Sequence, residues 1–465
     1  MAGLVEDLRD GLPDGAVVTD TDLLGSYRQD EASFCPSALP MVAVLPRTTE
    51  HVQHVLRTAA AHAVPVVPQG ARTGLAGAAN ALPGCVVLSL TAMKRIVEVN
   101  TADRYAVVEP GVLTAELSRA AAEHGLRYPP DPSSWETSTI GGNLATNAGG
   151  LCCVKYGVTA DFVLGLEVVL ASGDVLRTGG RTVKGVAGYD LTRLFVGSEG
   201  TLGVITQATV ALRPAVPLPL TLAAIFPTTG AAGAAVSGIV SAGCIPSLLE
   251  ILDRLTLHAV DDWKNMGIGG DAAALLLAQS DAGDHAPAEL AVIAGLCRAA
   301  GASDVLVSTD PAESTMLLAA RRLAYPALAR LGATMVDDVA VPRSRLADFL
   351  IGVEHIAAEA RLLIGVVGHA GDGNMHPTVV FDRDDAATTV RARAAFDSIM
   401  ALGLELGGTI TGEHGVGLLK RDWLARELGP VSMGVHLGIK AALDPLGLLN
   451  PGKVLPATAS ATTLP

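Results

Sequence analysis

Short apolar runs and helix-spaced apolar positions alternate along the first half of the chain. Residues 41–45 form an apolar run of strand length, and Thr48 then opens a helix whose apolar side chains recur three and four positions apart. The same reasoning predicts a helix at 114–123 and further strands at 64–67, 86–90, 96–99, 105–109 and 204–212. This half of the chain is therefore predicted to mix helices with strands.

The pattern changes beyond a proline-rich stretch at residues 214–219. Strands and helices then alternate, and the strands are predicted at 220–226, 247–252, 274–279, 335–340 and 363–368. The helices are predicted at 229–243, 253–264, 286–300, 343–361 and 386–407. Alternation of this kind predicts an antiparallel sheet backed by helices, and the fold class is α+β.

At 465 residues the chain is too long for one compact core, so about two or three domains are expected. The prolines at 214–219 mark the boundary between two of them. We predict a helical N-terminal segment at 1–36, one domain at 37–215, a second domain at 216–456 and a disordered tail at 457–465.

Composition and charge argue against several functional classes. A net charge of −14 and an aromatic content of 3% disfavour nucleic-acid binding, which needs basic surfaces and stacking platforms. Six scattered cysteines without a C-x-x-C pair disfavour an iron–sulfur cluster within the chain. The first residues lack the basic and the apolar region of a signal peptide. Prolines and glycines interrupt the uncharged stretch at 214–249, so it holds no apolar run long enough to span a membrane. We therefore expect a cytoplasmic protein without a membrane span.

Two glycine-rich stretches are the first candidates for a binding site. Residues 69–77 follow a predicted strand, where a loop of small residues exposes successive backbone N–H groups that can bind a phosphate. This loop has neither the Gly-Lys-Ser/Thr ending of a P-loop nor the dinucleotide-binding glycine pattern. Residues 138–150 are rich in Gly, Thr and Asn, which indicates backbone packed against a flat, polar partner. We expect this second stretch to be a long functional loop.

A second candidate site lies at residues 368–376, where two histidines flank an Asp-Gly pair. Asp-Gly favours a two-residue hairpin turn, because both central positions of that turn need a positive φ. Such a turn would pair His369 directly with His376 and place their Cβ atoms roughly 4.5–5.5 Å apart. One divalent ion can bind two imidazoles at that separation.

A third motif, at residues 412–417, places a glutamate and a histidine in a glycine-rich loop. Glu413 could complete a His, His, Glu metal site, and His414 is suited to proton transfer. Either motif alone is better explained as a tight hairpin or a glycine-rich loop that happens to carry histidines. Their occurrence together favours a metal-dependent active site.

Taken together, the motifs resemble those of FAD-linked oxidoreductases of the vanillyl-alcohol oxidase/p-cresol methylhydroxylase (PCMH) type. Within that group they look like the D-2-hydroxyacid dehydrogenases: glycolate oxidase FAD subunit, D-lactate dehydrogenase and D-2-hydroxyglutarate dehydrogenase. The resemblance covers roughly residues 40–455 and rests on motifs in the expected order: Gln-Gly-Ala-Arg-Thr-Gly-Leu (69–75), Pro-Asp-Pro-Ser-Ser (130–134), Thr-Ile-Gly-Gly-Asn…Asn-Ala-Gly-Gly (139–150), Gly-Ser-Glu-Gly-Thr-Leu-Gly (197–203), the histidine hairpin, Gly-Glu-His-Gly (412–415) and Asn-Pro-Gly-Lys (450–453). It implies a PCMH-type FAD-binding domain of two α+β subdomains, then an α+β substrate-binding cap with an antiparallel sheet and C-terminal helices.

By this resemblance, the loop at 69–75 binds the FAD pyrophosphate through its backbone N–H groups. The segments 131–150 and 199–205 line the flavin and adenine portions, and a C-terminal asparagine reaches in. Residues 69–77 contain no His or Cys, so we expect FAD to be bound non-covalently. The implied cofactor-binding residues are Gln69, Gly70, Ala71, Arg72, Thr73, Gly74, Leu75, Pro132, Ser138, Thr139, Gly141, Gly142, Asn143, Thr146, Asn147, Gly150, Glu199, Gly200, Val204, Ile205 and Asn450.

The resemblance also implies roles for the histidine motifs. His369, His376 and Glu413 match the ligands of a divalent metal, Zn or Mn. His414 matches the proposed base. Arg321 matches an arginine that binds the substrate carboxylate, and the neighbouring Arg322 is the alternative for that role.

The chain departs from the D-2-hydroxyglutarate enzymes at two positions. Tyr325 and Val336 stand where those enzymes, by alignment of the motifs, carry a Thr and a Lys for the distal carboxylate. Without that Lys we expect a D-2-hydroxy acid with one carboxylate, such as lactate, glycolate or a longer apolar acid. The alternatives are D-2-hydroxyglutarate dehydrogenase, a metal-dependent hydrolase, and a non-catalytic subunit that only holds FAD.

The partners expected are a small 2-hydroxy acid and an external electron acceptor. Because the chain has no cysteine cluster of its own, we expect the electrons to pass to an acceptor outside it. The candidates are a quinone, a cytochrome, an electron-transfer flavoprotein and a separate iron–sulfur subunit. A homodimer is left open.

Overall fold

The computed structural model of the chain describes residues 2–32, 34–268, 270–308 and 310–457. All but the first residue of the tail predicted at 457–465 lie outside the described residues. The chain divides into two compact units. The first comprises the described residues of Met1–Gly149, Val158–Ala215 and Glu413–Pro465, and the second comprises those of Gly150–Gly157 and Val216–Gly412.

Helices occur in both units, and several begin at a capping side chain. Thr48, for example, accepts a hydrogen bond from the His51 N–H group (3.3 Å) at the start of the helix predicted there. The helices are α1 (Ala2–Asp10), α2 (Thr21–Leu24), α3 (Thr49–Ala61), α4 (Thr114–Ala122), α5 (Ile140–Thr146), α6 (Cys153–Tyr156), α7 (Leu191–Phe195), α8 (Thr229–Ser241), α9 (Arg254–Lys264), α10 (Ala286–Ala299), α11 (Pro311–Ala329), α12 (Leu346–Ala360), α13 (Ala386–Glu405) and α14 (Arg421–Leu443), the last interrupted at Gly429.

The strands agree with most of the apolar runs in the sequence. They are β1 (Val17–Val18), β2 (Val42–Val44), β3 (Val66–Gln69), β4 (Val86–Ser89), β5 (Ile96–Asn100), β6 (Tyr105–Val108), β7 (Leu126–Arg127), β8 (Val163–Val169), β9 (Val175–Gly179), β10 (Val204–Ala211), β11 (Arg213–Pro214), β12 (Leu220–Phe226), β13 (Leu248–Asp253), β14 (Ala274–Ser280), β15 (Asp304–Ser308), β16 (Ala333–Val336), β17 (Val339–Ala340), β18 (Leu363–His369) and β19 (Asn374–Phe381). The strand predicted at 335–340 is divided between β16 and β17. The elements that were not predicted include helix α11 and strands β8, β9 and β15.

Part of the loop predicted at 138–150 is helical. Thr139 caps the start of α5 by accepting a hydrogen bond from the Gly142 N–H group (3.2 Å). Asn147 ends the helix in the left-handed conformation, with φ of 53°. These two caps explain how a stretch rich in glycine and β-branched residues forms a helix of low intrinsic propensity.

Two sheets form the framework of the first unit. One has the strand order β1-β2-β4-β3, with β2 and β3 both parallel to β4. The other is antiparallel, with the order β5-β6-β10-β8-β9, and a short β11-β7 pair lies apart from both.

The C-terminal segment joins the first of these sheets. Val66 pairs in parallel with Leu449, and its N–H group donates to the Leu448 carbonyl (2.8 Å). Residues 413–457 belong to the first unit, whereas residues up to 456 were predicted to belong to the second domain. A backbone pairing between segments almost 400 positions apart leaves no trace in local hydrophobic periodicity.

A packed core supports the end of strand β3, where the predicted cofactor loop begins. The apolar face of α3, with Val52, Val55 and Leu56, is buried in one cluster with the sheet residues Val66 and Val86. Full burial of each such aliphatic side chain contributes about 1.5–3 kcal/mol. The loop that follows Gln69 is therefore anchored on a rigid strand.

A single antiparallel sheet organises the second unit. Its strand order is β15-β12-β14-β13-β18-β19-β16, and β17 also pairs with β19. Helices α8 to α13 pack against this sheet and one another. The predicted α+β class, with an antiparallel sheet backed by helices in the second half, is confirmed. Among the described helices, none combines the length and apolar composition needed to cross a bilayer.

Helices α8 and α12 of the second unit approach each other closely at Gly233. A Cβ atom there would lie 2.7 Å from the Ala347 Cα and 2.9 Å from the Ala347 backbone nitrogen, well inside van der Waals contact. Gly233→Ala should therefore lower the free energy of unfolding by about 1–3 kcal/mol, because the two helices must move apart. Urea unfolding followed by circular dichroism measures this change.

Gly238→Ala, in the same helix, is the matched control. The nearest atom to a Cβ at Gly238 is the Leu296 Cδ2, 4.0 Å away, so the added methyl group fits. This substitution should stabilise the protein by about 0.5–1 kcal/mol through the higher helix propensity of alanine. Equal effects of the two substitutions would contradict close packing of α8 on α12.

Candidate functional site

Two buried histidines lie on adjacent antiparallel strands of the second unit. The strand register pairs His369 with Asn374 and Val367 with His376. The prediction that the two histidines pair directly was therefore wrong by two residues. The connection has four residues, 370–373, rather than two, and this longer turn shifts the register.

The turn differs from the predicted type in its backbone angles. Asp372 donates its N–H group to the His369 carbonyl (3.0 Å), and Gly373 donates to the Ala370 carbonyl (3.3 Å). Of the Asp-Gly pair, Gly373 alone has a positive φ, 78°. A Cβ at Gly373 would lie 2.2 Å from the Val341 carbonyl oxygen, so the glycine is required here for space as well.

The shift in register still leaves both imidazoles on the same face of the sheet. Side chains alternate along a strand, so an offset of two residues preserves the face. The ring centroids of His369 and His376 are 5.2 Å apart, with the rings nearly perpendicular. Both side chains are buried.

A buried glutamate joins one of these histidines to the predicted substrate-binding arginine. Glu250, on strand β13, has no solvent exposure. Its Oε1 lies 2.7 Å from His369 Nδ1, and its Oε2 accepts a hydrogen bond from Arg321 Nε at 2.5 Å. Arg321 itself is buried on α11, whereas the side chain of Arg322 is exposed.

A buried aspartate occupies the corresponding place beside the second histidine. Asp338 Oδ1 lies 3.5 Å from His376 Nδ1. Its Oδ2 accepts hydrogen bonds from the Thr411 hydroxyl (2.7 Å) and the Gly412 N–H group (2.9 Å). Neither Glu250 nor Asp338 was predicted from the sequence as a site residue. Acidic residues flanked by apolar residues, in Leu-Leu-Glu-Ile-Leu and Val-Asp-Asp-Val, were the signal that could have found them.

These residues fit a divalent metal by their chemistry. Each imidazole turns its Nδ1 toward a buried carboxylate, which directs Nε2 to the other side of the ring. Asp338 and His376 also offer ligand atoms within 4.8 Å of one another. Imidazole nitrogen and carboxylate oxygen are donors that Zn and Mn accept.

Glu413 and His414 belong to the first unit and follow Gly412 directly in the chain. They too offer ligand atoms within 4.8 Å of one another. Gly149 makes room for the glutamate, since a Cβ there would lie 2.3 Å from Glu413 Oε2. The predicted set of His369, His376 and Glu413 is thus divided between two strands of the second unit and one loop of the first.

The predicted pyrophosphate loop packs on the predicted flavin segment within the first unit. A Cβ at Gly70 would lie 2.4 Å from Thr139 Oγ1, so only glycine allows this approach. The amide nitrogen of Gln69 donates to the carbonyls of Tyr27 (2.9 Å) and Ala79 (2.7 Å). Its Oε1 is buried and has no hydrogen-bond partner among the described residues, which fits a bound ligand that supplies a donor.

The loop that carries His414 packs against the same pyrophosphate loop. Leu418 and Leu419 donate their N–H groups to the Ala76 carbonyl, at 2.8 and 3.0 Å. The Glu199 carboxylate accepts hydrogen bonds from the N–H groups of Val416 (2.7 Å) and Gly417 (2.9 Å). Glu199, predicted to contact FAD, therefore holds the His414 loop through its side chain.

The side chains of other predicted cofactor residues are occupied by protein contacts. The Asn450 amide donates to the carbonyls of Ala78 (3.2 Å) and Glu199 (2.7 Å) and accepts from Lys453 Nζ (3.0 Å). The Asn143 amide donates to the Thr114 hydroxyl at 2.8 Å. Val204 belongs to the hydrophobic core, and Gly150 falls in the second unit.

Comparison with known families adds two matches that together span most of the chain. Residues 40–179 match the FAD binding domain, and residues 220–454 match the C-terminal domain of FAD linked oxidases.

Relatives of known description are similar over nearly their whole length. Glycolate oxidase subunit GlcD of Bacillus subtilis (strain 168) is 43% identical over 419 residues, which cover 90% of this chain and 89% of that protein. Glycolate oxidase subunit GlcD of Escherichia coli (strain K12) is 39% identical over 419 residues, covering 90% and 84%. D-lactate dehydrogenase of Anaerostipes hadrus is 34% identical over 462 residues, covering 97% of each chain.

Solved structures share the fold. The crystal structure of p-cresol methylhydroxylase with substrate bound superposes with a TM-score of 0.81 at 20% identity, covering 98% of this chain and 97% of that one. The 4-ethylphenol oxidase from Gulosibacter chungangensis gives 0.79 at 21% identity, covering 98% and 97%. The fold is therefore of the PCMH type, as the sequence motifs implied.

Glu199 should make the stability of the protein depend on pH. Burial raises the pKa of its carboxyl group from 4.5 to about 7, against the opposing effect of the Val416 and Gly417 N–H groups; buried Asp30 adds to the rise and Lys453 reduces it. Between these two pH values the folded state holds a proton that the unfolded state releases. The free energy of unfolding should therefore fall as pH rises through this range, by up to about 3 kcal/mol from this group.

Glu199→Gln should reduce that fall, because the amide does not titrate. Urea unfolding at a series of pH values from about 5 to about 7 measures the slope for each variant. Glu6→Gln, at an exposed position on α1 of the same unit, is the control and should leave the slope unchanged. An equal slope in wild type and Glu199→Gln would contradict the raised pKa.

Proposed function

The chain belongs to the FAD-linked oxidase family, and from this premise we propose that it oxidises a D-2-hydroxy acid to the corresponding 2-keto acid. Relatives named glycolate oxidase subunit and D-lactate dehydrogenase support FAD-linked oxidation of a hydroxy acid. The observation that carries the proposal is the contact of Glu250 with both Arg321 and His369. Glu250 thereby connects Arg321, which is suited to binding a substrate carboxylate, with His369, which is suited to binding a metal ion.

The first unit would hold FAD non-covalently. Loop 69–75 offers backbone N–H groups, and the buried Gln69 Oε1 offers an acceptor. The residues proposed to hold a divalent metal, Zn or Mn, are His369, His376 and Glu413. Asp338, beside His376, is a further carboxylate for that role.

The chemistry supplied by FAD when bound is acceptance of a hydride from the α-carbon, and a divalent metal would make the substrate hydroxyl more acidic. The protein's own residues orient the substrate and take its proton. Arg321, with its Nε held by Glu250, would bind the substrate carboxylate through the other N–H groups of its guanidinium fork. His414, in the neutral form, would accept the hydroxyl proton at a ring nitrogen.

A substrate with one carboxylate suits the residues at positions 325 and 336. Tyr325 is 45% exposed and its hydroxyl lies 3.3 Å from the Thr334 hydroxyl. Val336, on β16, is uncharged. Neither position supplies a cation for a second carboxylate, which supports lactate, glycolate or a longer apolar 2-hydroxy acid.

The electrons would leave the protein for an external acceptor, a quinone, a cytochrome, an electron-transfer flavoprotein or an iron–sulfur subunit. The six cysteines form no C-x-x-C pair or other cluster-binding motif in the sequence. Relatives that are named as subunits support a partner protein in this role.

Anaerobic stopped-flow mixing with a panel of 2-hydroxy acids tests the proposed substrate class. The purified protein should be yellow, and D-lactate or glycolate should bleach the flavin faster than D-2-hydroxyglutarate or L-lactate. Prior treatment with a chelator should slow bleaching at least about tenfold, and added Zn or Mn should restore it. Fastest bleaching by D-2-hydroxyglutarate would argue for the dicarboxylate alternative, and indifference to the chelator would contradict the metal.

His414→Ala tests the proposed base. Turnover should fall by about 10²- to 10⁴-fold with flavin content unchanged, because the hydroxyl proton loses its acceptor. His436→Ala, at an exposed position on α14, is the control and should retain full turnover. Near-normal turnover of His414→Ala with full flavin content would assign the base elsewhere.

A further inference from the structure

The carboxylate of Glu250 is buried between two hydrogen-bond donors. The residue is completely buried, and strand β13 around it is apolar. Its two oxygens serve two different donors, His369 Nδ1 at 2.7 Å and Arg321 Nε at 2.5 Å. A buried carboxylate is stable only when both oxygens have such partners.

We propose that Glu250 is a positioning residue that fixes the ring tautomer of His369 and, at the same time, the direction of the Arg321 fork. The inference rests on the proposed function, in which these two residues bind the metal and the substrate carboxylate. Because Glu250 has only acceptors to offer, the proton on His369 must sit on Nδ1, and the lone pair of Nε2 is then available for a metal. The same carboxylate holds the flat guanidinium group in one plane.

Glu250→Gln separates these two effects. An amide offers one acceptor oxygen and one donor nitrogen in nearly the same shape. Arginine cannot accept a hydrogen bond, whereas imidazole Nδ1 can accept one after its proton moves to Nε2. The amide oxygen should therefore stay with Arg321, its NH₂ group should face His369, and the histidine should switch to the Nε2–H tautomer.

The full-length, FAD-containing protein is tested by Mn²⁺ titration, by pyruvate titration in the presence of chelator, and by ¹⁵N NMR of labelled histidines. His369→Asn assigns the His369 signals. In Glu250→Gln, Mn²⁺ affinity should fall about 10- to 100-fold, pyruvate affinity should stay close to wild type, and the tautomer should switch. In Glu250→Ala, pyruvate affinity should fall as well, by about tenfold, because the guanidinium group of Arg321 then has no hydrogen-bond acceptor at position 250 to hold it.

Asp253→Asn is the matched control, because Asp253 lies on the same strand and its side chain caps α9 instead. It should change neither affinity nor the tautomer. Wild-type Mn²⁺ affinity together with an Nδ1–H tautomer in Glu250→Gln would overturn the proposal. If the wild-type protein binds no Mn²⁺, the metal in the proposed function fails, while the tautomer of His369 in the two Glu250 variants still decides the role of Glu250.

Discussion

A charge inside a protein is stable only where hydrogen bonds replace the water it has lost. In the second unit, Glu250 is such a charge, and its partners come from strand β18 and helix α11. Loss of either partner would leave an oxygen buried without a donor, a penalty of about 1–3 kcal/mol or more. The requirement to satisfy this carboxylate therefore fixes His369 and Arg321 relative to the central strands of the sheet.

The same requirement organises the first unit around a buried cation. Lys453 Nζ donates to the carbonyls of Ala78 and Asn80 and to the Asn450 amide oxygen. Burial lowers the pKa of this ammonium group to about 7, and the nearby Cys85, Asp30 and Glu199 side chains oppose that fall. The C-terminal Asn-Pro-Gly-Lys motif is thereby bound to residues 78–80, which follow the predicted pyrophosphate loop. Its asparagine acts on that loop through hydrogen bonds to protein groups.

Some residues of the predicted cofactor motifs remain open to a ligand, and others hold the surrounding loops in place. A sequence pattern does not distinguish these two functions. Gly70 allows loop and helix to approach, and Gln69 leaves one buried acceptor open among the described residues. The side chains of Glu199 and Asn450 instead form hydrogen bonds with backbone groups of the surrounding loops. A motif can therefore be specific for a flavoprotein even where several of its residues stabilise the loop conformation.

The amino-acid sequence by itself determined the α+β class, the flavoprotein family and the places where most helices and strands lie, because local periodicity, turns and motif order are carried by neighbouring residues. It also indicated that His369 and His376 share one face. Only the tertiary structure decided their register, in which a four-residue turn places Gly373 against Val341 from another segment. It alone revealed Glu250 as the partner of His369, because that contact spans 119 positions and requires three elements to meet.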